Sequence, residues 1–177
     1  YFLDLNQKDS KLITENIKEK LLTEYGVVSV SQDDKSFNVD GYHNGAIWPF
    51  LTTIAAGVSY NIDKEVSERL MKILSSNLDL QCSSRINEII RVDGHPEGCP
   101  SQAWSIGLLP NIIDKFILGI NVNAPEKTIS IKTPEDISFH RSINVLNKNV
   151  EIGYEEEKFR SNHQFEREED RIIIRLD

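Results

Sequence analysis

Apolar positions in the first 118 residues recur mainly at helical spacing, and those in the last 59 residues, Gly119 to Asp177, mainly at every second position. Leu12, Ile13, Ile17, Leu21 and Leu22 form a helical stripe that predicts a helix over 10–25, with Gly26 as its C-cap. A second helix is expected over 47–60, where Pro49 falls in the first turn and its missing N–H costs nothing. Its Ala55, Ala56 and Gly57 make a face small enough for close helix contact. A third is expected over 63–76, with Val66, Leu70, Ile73 and Leu74 on one side and charged residues opposite. A fourth starts near Gln102 and carries Trp104, Leu108, Ile112 and Phe116 at four-residue spacing; Pro110 should kink it or split it. Between the helices, residues 27–45 read as a long loop. Residues 79–101 carry a brief strand-like "RINEII" and the turn-rich "RVDGHPEGCPS". After Gly119, "KTISIKT", "ISFHRSINVL", "NVEIGYEE" and "RIIIRLD" alternate apolar with polar and predict strands. Helices first and strands second indicate a mainly α unit, 1–118, followed by a small antiparallel β unit, 119–177.

Composition narrows the function. The chain of 177 residues carries a formal charge of -8 and no Lys/Arg patch, which argues against a nucleic-acid partner. No apolar run approaches the roughly 20 residues that span a bilayer, and nothing reads as a signal peptide, so a soluble, cytoplasmic protein is expected, without a membrane partner. Cys82 and Cys99 lack metal-ligand spacing and read as inert thiols, a single bridge between them remaining open. His43, His95, His140 and His163 are scattered, so no metal site and no cofactor are expected. The opening "YFLDLNQKDS" starts without a methionine and without a helix signal before Asp9 and Ser10, and reads as cut from something longer.

Three polar clusters lie in or beside loops: Tyr42, His43, Asn44 and Trp48; Arg85, Glu88, Asp93 and Glu97; and Gln102 with Trp104. Antiparallel helices would gather these loops at one rim. Directional donors and acceptors next to indoles suit a pyranose, which has hydroxyls around its edge and C–H groups on its faces. Breaking a glycosidic bond also requires two carboxyl groups. Each residue has a plainer reading as well: His43 bonded within its own turn, Trp48 and Trp104 in the core, Glu88 on a strand beside Arg85, Asp93 and Glu97 in turns. The acidic runs "YEEEKFR" and "FEREEDR" read as solvated faces.

"LLTEYGVVSVSQDD" (21–34), "YHNGAIWPFL" (42–51) and "GCPSQAWSIG" (98–107), in that order and at that spacing, resemble the C-terminal part of the catalytic domain of glycogen debranching enzymes, the amylo-α-1,6-glucosidase family. The resemblance implies part of an (α/α)6 toroid, about four of its twelve helices, and inverting hydrolysis of α-1,6 branches in glycogen or maltodextrin. It places Glu88 of "INEI" where the family has its general base, with Asp93 in reserve. Tyr42, His43, Asn44, Trp48, Gln102 and Trp104 would line the glucose pocket. Asn87 stands where the family usually has proline, and the loop 89–97 departs from the usual pattern. The family's general acid would lie outside these residues, and the isolated chain would be inactive. An open arc of helices would expose apolar faces, so the remaining barrel helices, in the same polypeptide or an oligomeric partner, are expected to cover them. The alternatives are a non-catalytic glycan-binding or assembly module with a glycosidase-like rim, and a different (α/α)6 glycosidase.

Overall fold

The computed structural model describes residues 6–78, 85–132 and 137–176. Cys82, one of the two thiols, lies outside the described residues. The chain divides into two compact units, Tyr1–Ile112 and Ile113–Asp177.

In the first unit, helix α1 (Gln7–Asn16) starts at Asn6, whose side chain caps the N–H of Asp9 at 2.9 Å. It runs into a wide π-turn, Ile17–Leu21, and the chain then leaves the helix at Leu22, where the backbone turns extended and bridges to Val27. The helical run is thus shorter at its C-terminal end than the expected 10–25. Gly26 sits in the connecting turn at φ 141°, where a Cβ would meet Ile47 and Thr52 side-chain atoms at 2.7 Å. Helix α2 (Pro49–Ser59) begins on Pro49, and α3 (Lys64–Asn77) begins at Asp63, whose carboxylate accepts from the Val66 N–H at 3.1 Å. The small face of α2 lets α3 approach closely: the Ser67 hydroxyl donates to the Ala56 carbonyl at 2.8 Å, and Ala55, Ala56, Val66 and Leu70 share a core with Ile17 and Val27.

Between the helices runs an extended ladder. Val28 bridges Ile47 and Ile47 bridges Ile90, whose N–H donates to the Ile47 carbonyl at 2.9 Å and whose C=O accepts from the Ile47 N–H at 2.8 Å. These three residues are buried at 0–1% exposure and form a second small core. Strand β1 (Ile89–Ile90) pairs antiparallel with β2 (Pro96–Glu97). Helix α4 (Ala103–Ile112) holds Pro110 and ends at Ile112.

The second unit opens with a π-turn, Ile113–Ile117, and continues as seven strands. Strands β3 (Ile120–Asn123), β4 (Thr128–Lys132), β9 (Arg171–Arg175) and β8 (Phe165–Glu168) form one antiparallel sheet in that order. Strands β5 (Phe139–Val145), β6 (Lys148–Glu155) and β7 (Lys158–Ser161) form another. Ile129, Ile131, Ile172 and Ile174 of the first sheet and Val150 and Ile152 of the second enter one core. This is the burial that period-two sequences are built to make.

The expectation of a mainly α protein forming part of an (α/α)6 toroid is overturned. Among the described residues the chain has four short α-helices and nine strands in three antiparallel sheets. Two effects account for it. Residues 27–45, read as a loop, and 86–97, read as a strand-like stretch with turns, are tied together as an extended ladder instead of serving as plain links between stacked helices. The acidic runs read as solvated faces do stay largely exposed, with Phe159 the buried residue, but they also pair as β7 and β8 and add to the strand content.

Candidate active site

Glu88 is the point on which two distant stretches of chain converge. Ile86, Asn87, Ile89 and Ile90 around it are buried, which fixes the backbone and leaves Glu88 half-exposed. Its N–H donates to the Cys99 carbonyl at 2.9 Å, and the Cys99 N–H donates back to the carboxylate Oε2 at 3.0 Å. The Gln102 N–H donates to the Ile86 carbonyl at 3.0 Å, which ties the segment leading into α4 to the same strand-like stretch. Gly98 makes this close approach feasible. Its φ is 72°, and a Cβ there would lie 2.6 Å from Oε2 of Glu88.

From the other side, the Tyr42 phenol donates to Glu88 Oε1 at 2.5 Å. Its loop is held by short-range bonds: the Gly41 N–H to the Asn38 carbonyl at 2.7 Å, the Gly45 N–H to the Gly41 carbonyl at 2.9 Å, and the Ser29 hydroxyl to the His43 carbonyl at 2.5 Å. The Tyr42 ring meets Trp48 edge-on at 5.0 Å and His43 at 4.8 Å, and the His43 and Trp48 rings lie nearly parallel 6.3 Å apart. Trp48 in turn contacts Phe50 at 5.8 Å, and Phe50 contacts Trp104 at 6.1 Å. An aromatic row thus runs from the Glu88 carboxylate to α4.

The hydrogen bond from Tyr42, followed by that from the Cys99 amide, holds the Glu88 carboxyl below its ordinary glutamate range; partial desolvation opposes them, and a bond from the Gln102 side chain adds to the lowering. The same contact raises the Tyr42 phenol, because ionising it would break the bond and set two negative charges together. Glu88 is therefore an ionised acceptor at neutral pH.

The other residues singled out in the sequence have different places. Trp48 is buried at 8% exposure, packed with Ala46 and Ile89, whereas Trp104 is exposed at 52%. Trp104 lines an apolar groove of ≈ 430 Å³ with Phe50, Ile54, Gly107, Leu108 and Asn111. The Asn44 amide is turned inward, donating to the Ser36 carbonyl within its own loop. The Asp93 carboxylate caps its own turn by accepting from the His95 N–H at 3.0 Å. Glu97 and Asp40 both pair with Arg91, which cross-links the Tyr42 loop to the β1–β2 hairpin. Phe50, Gly98 and the Cys99 amide were missed by sequence reasoning. A glycine directly before the Cys-Pro-Ser-Gln run was the available signal for Gly98, and nothing marked Phe50. Among the described residues no three His, Cys, Asp or Glu side chains cluster to hold a metal ion, and no helix is long and apolar enough to cross a membrane.

No curated protein matches this chain. A solved structure titled "Sialidase" shares its fold at a TM-score of 0.67 and 20% identity, over 97% of this chain and 19% of that one, so the chain spans about a fifth of that protein's length. The sequence profile of the amylo-alpha-1,6-glucosidase family matches residues 2–111, which hold Tyr42, Glu88, Gln102 and Trp104, and the chain belongs to that family.

Proposed function

We propose that this chain supplies the general base of an inverting α-1,6-glucosidase acting at branch points of an α-glucan such as glycogen or maltodextrin. The observation that carries the reading is the Glu88 carboxylate, half-exposed, with a donor on each oxygen and the aromatic row leading away from it. An ionised carboxylate with a free lone pair accepts a proton from water as the water oxygen attacks the anomeric carbon. The C–O bond to the leaving glucan breaks, its electron pair passes to the leaving oxygen, and a carboxylic acid from outside the described residues protonates that oxygen. His43, the Gln102 amide and the exposed face of Trp104 are the groups for the sugar's hydroxyls and C–H faces. Trp48 backs them from the core.

In the full-length protein, Glu88→Gln is expected to lower turnover of a branched dextrin by roughly 10²–10⁴-fold while maltooligosaccharide affinity, read by titration calorimetry, stays near wild type. The first-formed glucose, followed by NMR in the wild-type reaction, is expected to be the β anomer. Undiminished turnover by Glu88→Gln overturns the base assignment. Release of α-glucose overturns inversion.

A further inference from the structure

We propose that Tyr42 is a positioning residue that acts through Glu88: its phenol fixes the carboxylate in the orientation from which it receives the proton of the attacking water. The proposal rests on the reading of Glu88 as the base. By residue type Tyr42 suits a sugar hydroxyl, but a phenol has one hydrogen to donate, and here it is committed to Glu88 Oε1 at 2.5 Å. The ring that carries it is braced edge-on by Trp48 and His43 at 5.0 and 4.8 Å, so it stays aimed although the residue is 44% exposed. The Cys99 N–H takes Oε2 at 3.0 Å, in space that Gly98 leaves open.

The terminal torsion of a glutamate is otherwise broad and two-fold. With Tyr42 on one oxygen, the Cys99 amide on the other and the Gln102 side chain adding a third bond, the carboxylate plane is set, and of the roughly four acceptor sites of a carboxylate one is left for water. The titratable and charged groups on the adjoining segments are Tyr42 and His43 before α2, the Cys99 thiol before α4, Arg85 ahead of Glu88, Asp93 and His95 in the hairpin turn, and Arg91 with its partners Asp40 and Glu97. The downward displacement of Glu88 comes from hydrogen bonds, with Tyr42 the largest contributor, and not from a neighbouring cation.

The test is a comparison of Tyr42→Phe and Glu88→Gln in the full-length protein, with kcat and KM measured across pH on a branched dextrin. Tyr42→Phe keeps the ring that packs on Trp48 and removes only the donor. Its kcat is expected to fall on the order of 10- to 100-fold with KM nearly unchanged. The acid limb of its kcat/KM profile should move to higher pH, toward the ordinary glutamate range. A rise in KM with an unmoved acid limb would make Tyr42 a sugar ligand and overturn the proposal, and so would a wild-type kcat. Should Glu88→Gln turn over like wild type, the base reading itself fails, which is distinct from a failure of Tyr42 alone while Glu88→Gln is inactive.

Discussion

Residues 120–175 and residues 22–102 build extended backbone in opposite ways. In the second unit the strands run four to eight residues and pair in continuous registers, Phe139↔Tyr154 through Val145↔Lys148 for example, so neighbouring strands satisfy the backbone and alternate side chains fill one core. Among the described residues of the first unit the extended pieces are two residues long or single bridges, and between the helices the backbone is held by turns, a few side chains and glycines in tight places. A regular ladder repeats its geometry at every second residue and gives no position a special environment. The irregular ladder does the reverse. It anchors on Ile47 and Ile90 and frees their neighbours to converge, which is how Tyr42 reaches Glu88, 46 positions away in the sequence.

That contrast predicts different costs for cutting into each unit. Trp48 is the largest buried apolar side chain among the described residues of the first unit, at 8% exposure among Ala46, Ile89, Phe50 and Tyr42. Trp48→Ala should destabilise the protein by roughly 3–5 kcal/mol in urea unfolding, and it should also loosen the Tyr42 ring. A loss of less than about 1 kcal/mol would mean that the indole is a surface platform and that this end has no core of its own. Ile152 is fully buried between the strands that hold Arg141 and Ser161, and Ile152→Ala should cost roughly 2–5 kcal/mol. Turnover per folded molecule should be unchanged in that variant. A fall in turnover would tie the sheets to the chemistry and erase the division of labour between the units.

The same contrast explains what the sequence made legible. Period-two alternation located β4, β5, β6 and β9, because their apolar residues face one core and their polar residues face away. Helices α2 and α3 were legible from Pro49, from Asp63 and from the Val66–Leu70–Leu74 stripe. The mainly α expectation failed where hydrophobicity and conformation part company: Val28, Ile47 and Ile90 sit in short apolar runs, VV, AIW and II, that carry no strand-length alternation, and their bridging across the chain makes them a sheet-like core. For the site, residue type brought Tyr42, Glu88 and Gln102 into view, and the structure joins them. Residue type could not say that Asn44 folds back on its own loop, which depends on how that loop curls onto Ser36, nor which tryptophan is buried, which for Trp48 depends on the distant Ile89.

Trp104 offers the smallest and most discriminating test. Helix α4, "AWSIGLLPNI", is apolar along most of its length, yet only Ser105 and Ile112 are buried, with Trp104 and Ile106 exposed at 52% and 42%. A helix of that composition is ordinarily buried on all sides, so its open face suits a contact. If that contact is the glucan chain lying in the groove beside Phe50 and Leu108, Trp104→Ala should leave unfolding within about 0.5 kcal/mol of wild type. Maltooligosaccharide affinity should weaken by about tenfold, corresponding to roughly 1.4 kcal/mol. The opposite pattern, unchanged affinity with several kcal/mol of lost stability, would make Trp104 a core residue like Trp48. It would also remove the sugar platform from the irregular unit and leave Glu88 without the apolar wall that the proposed reaction calls for.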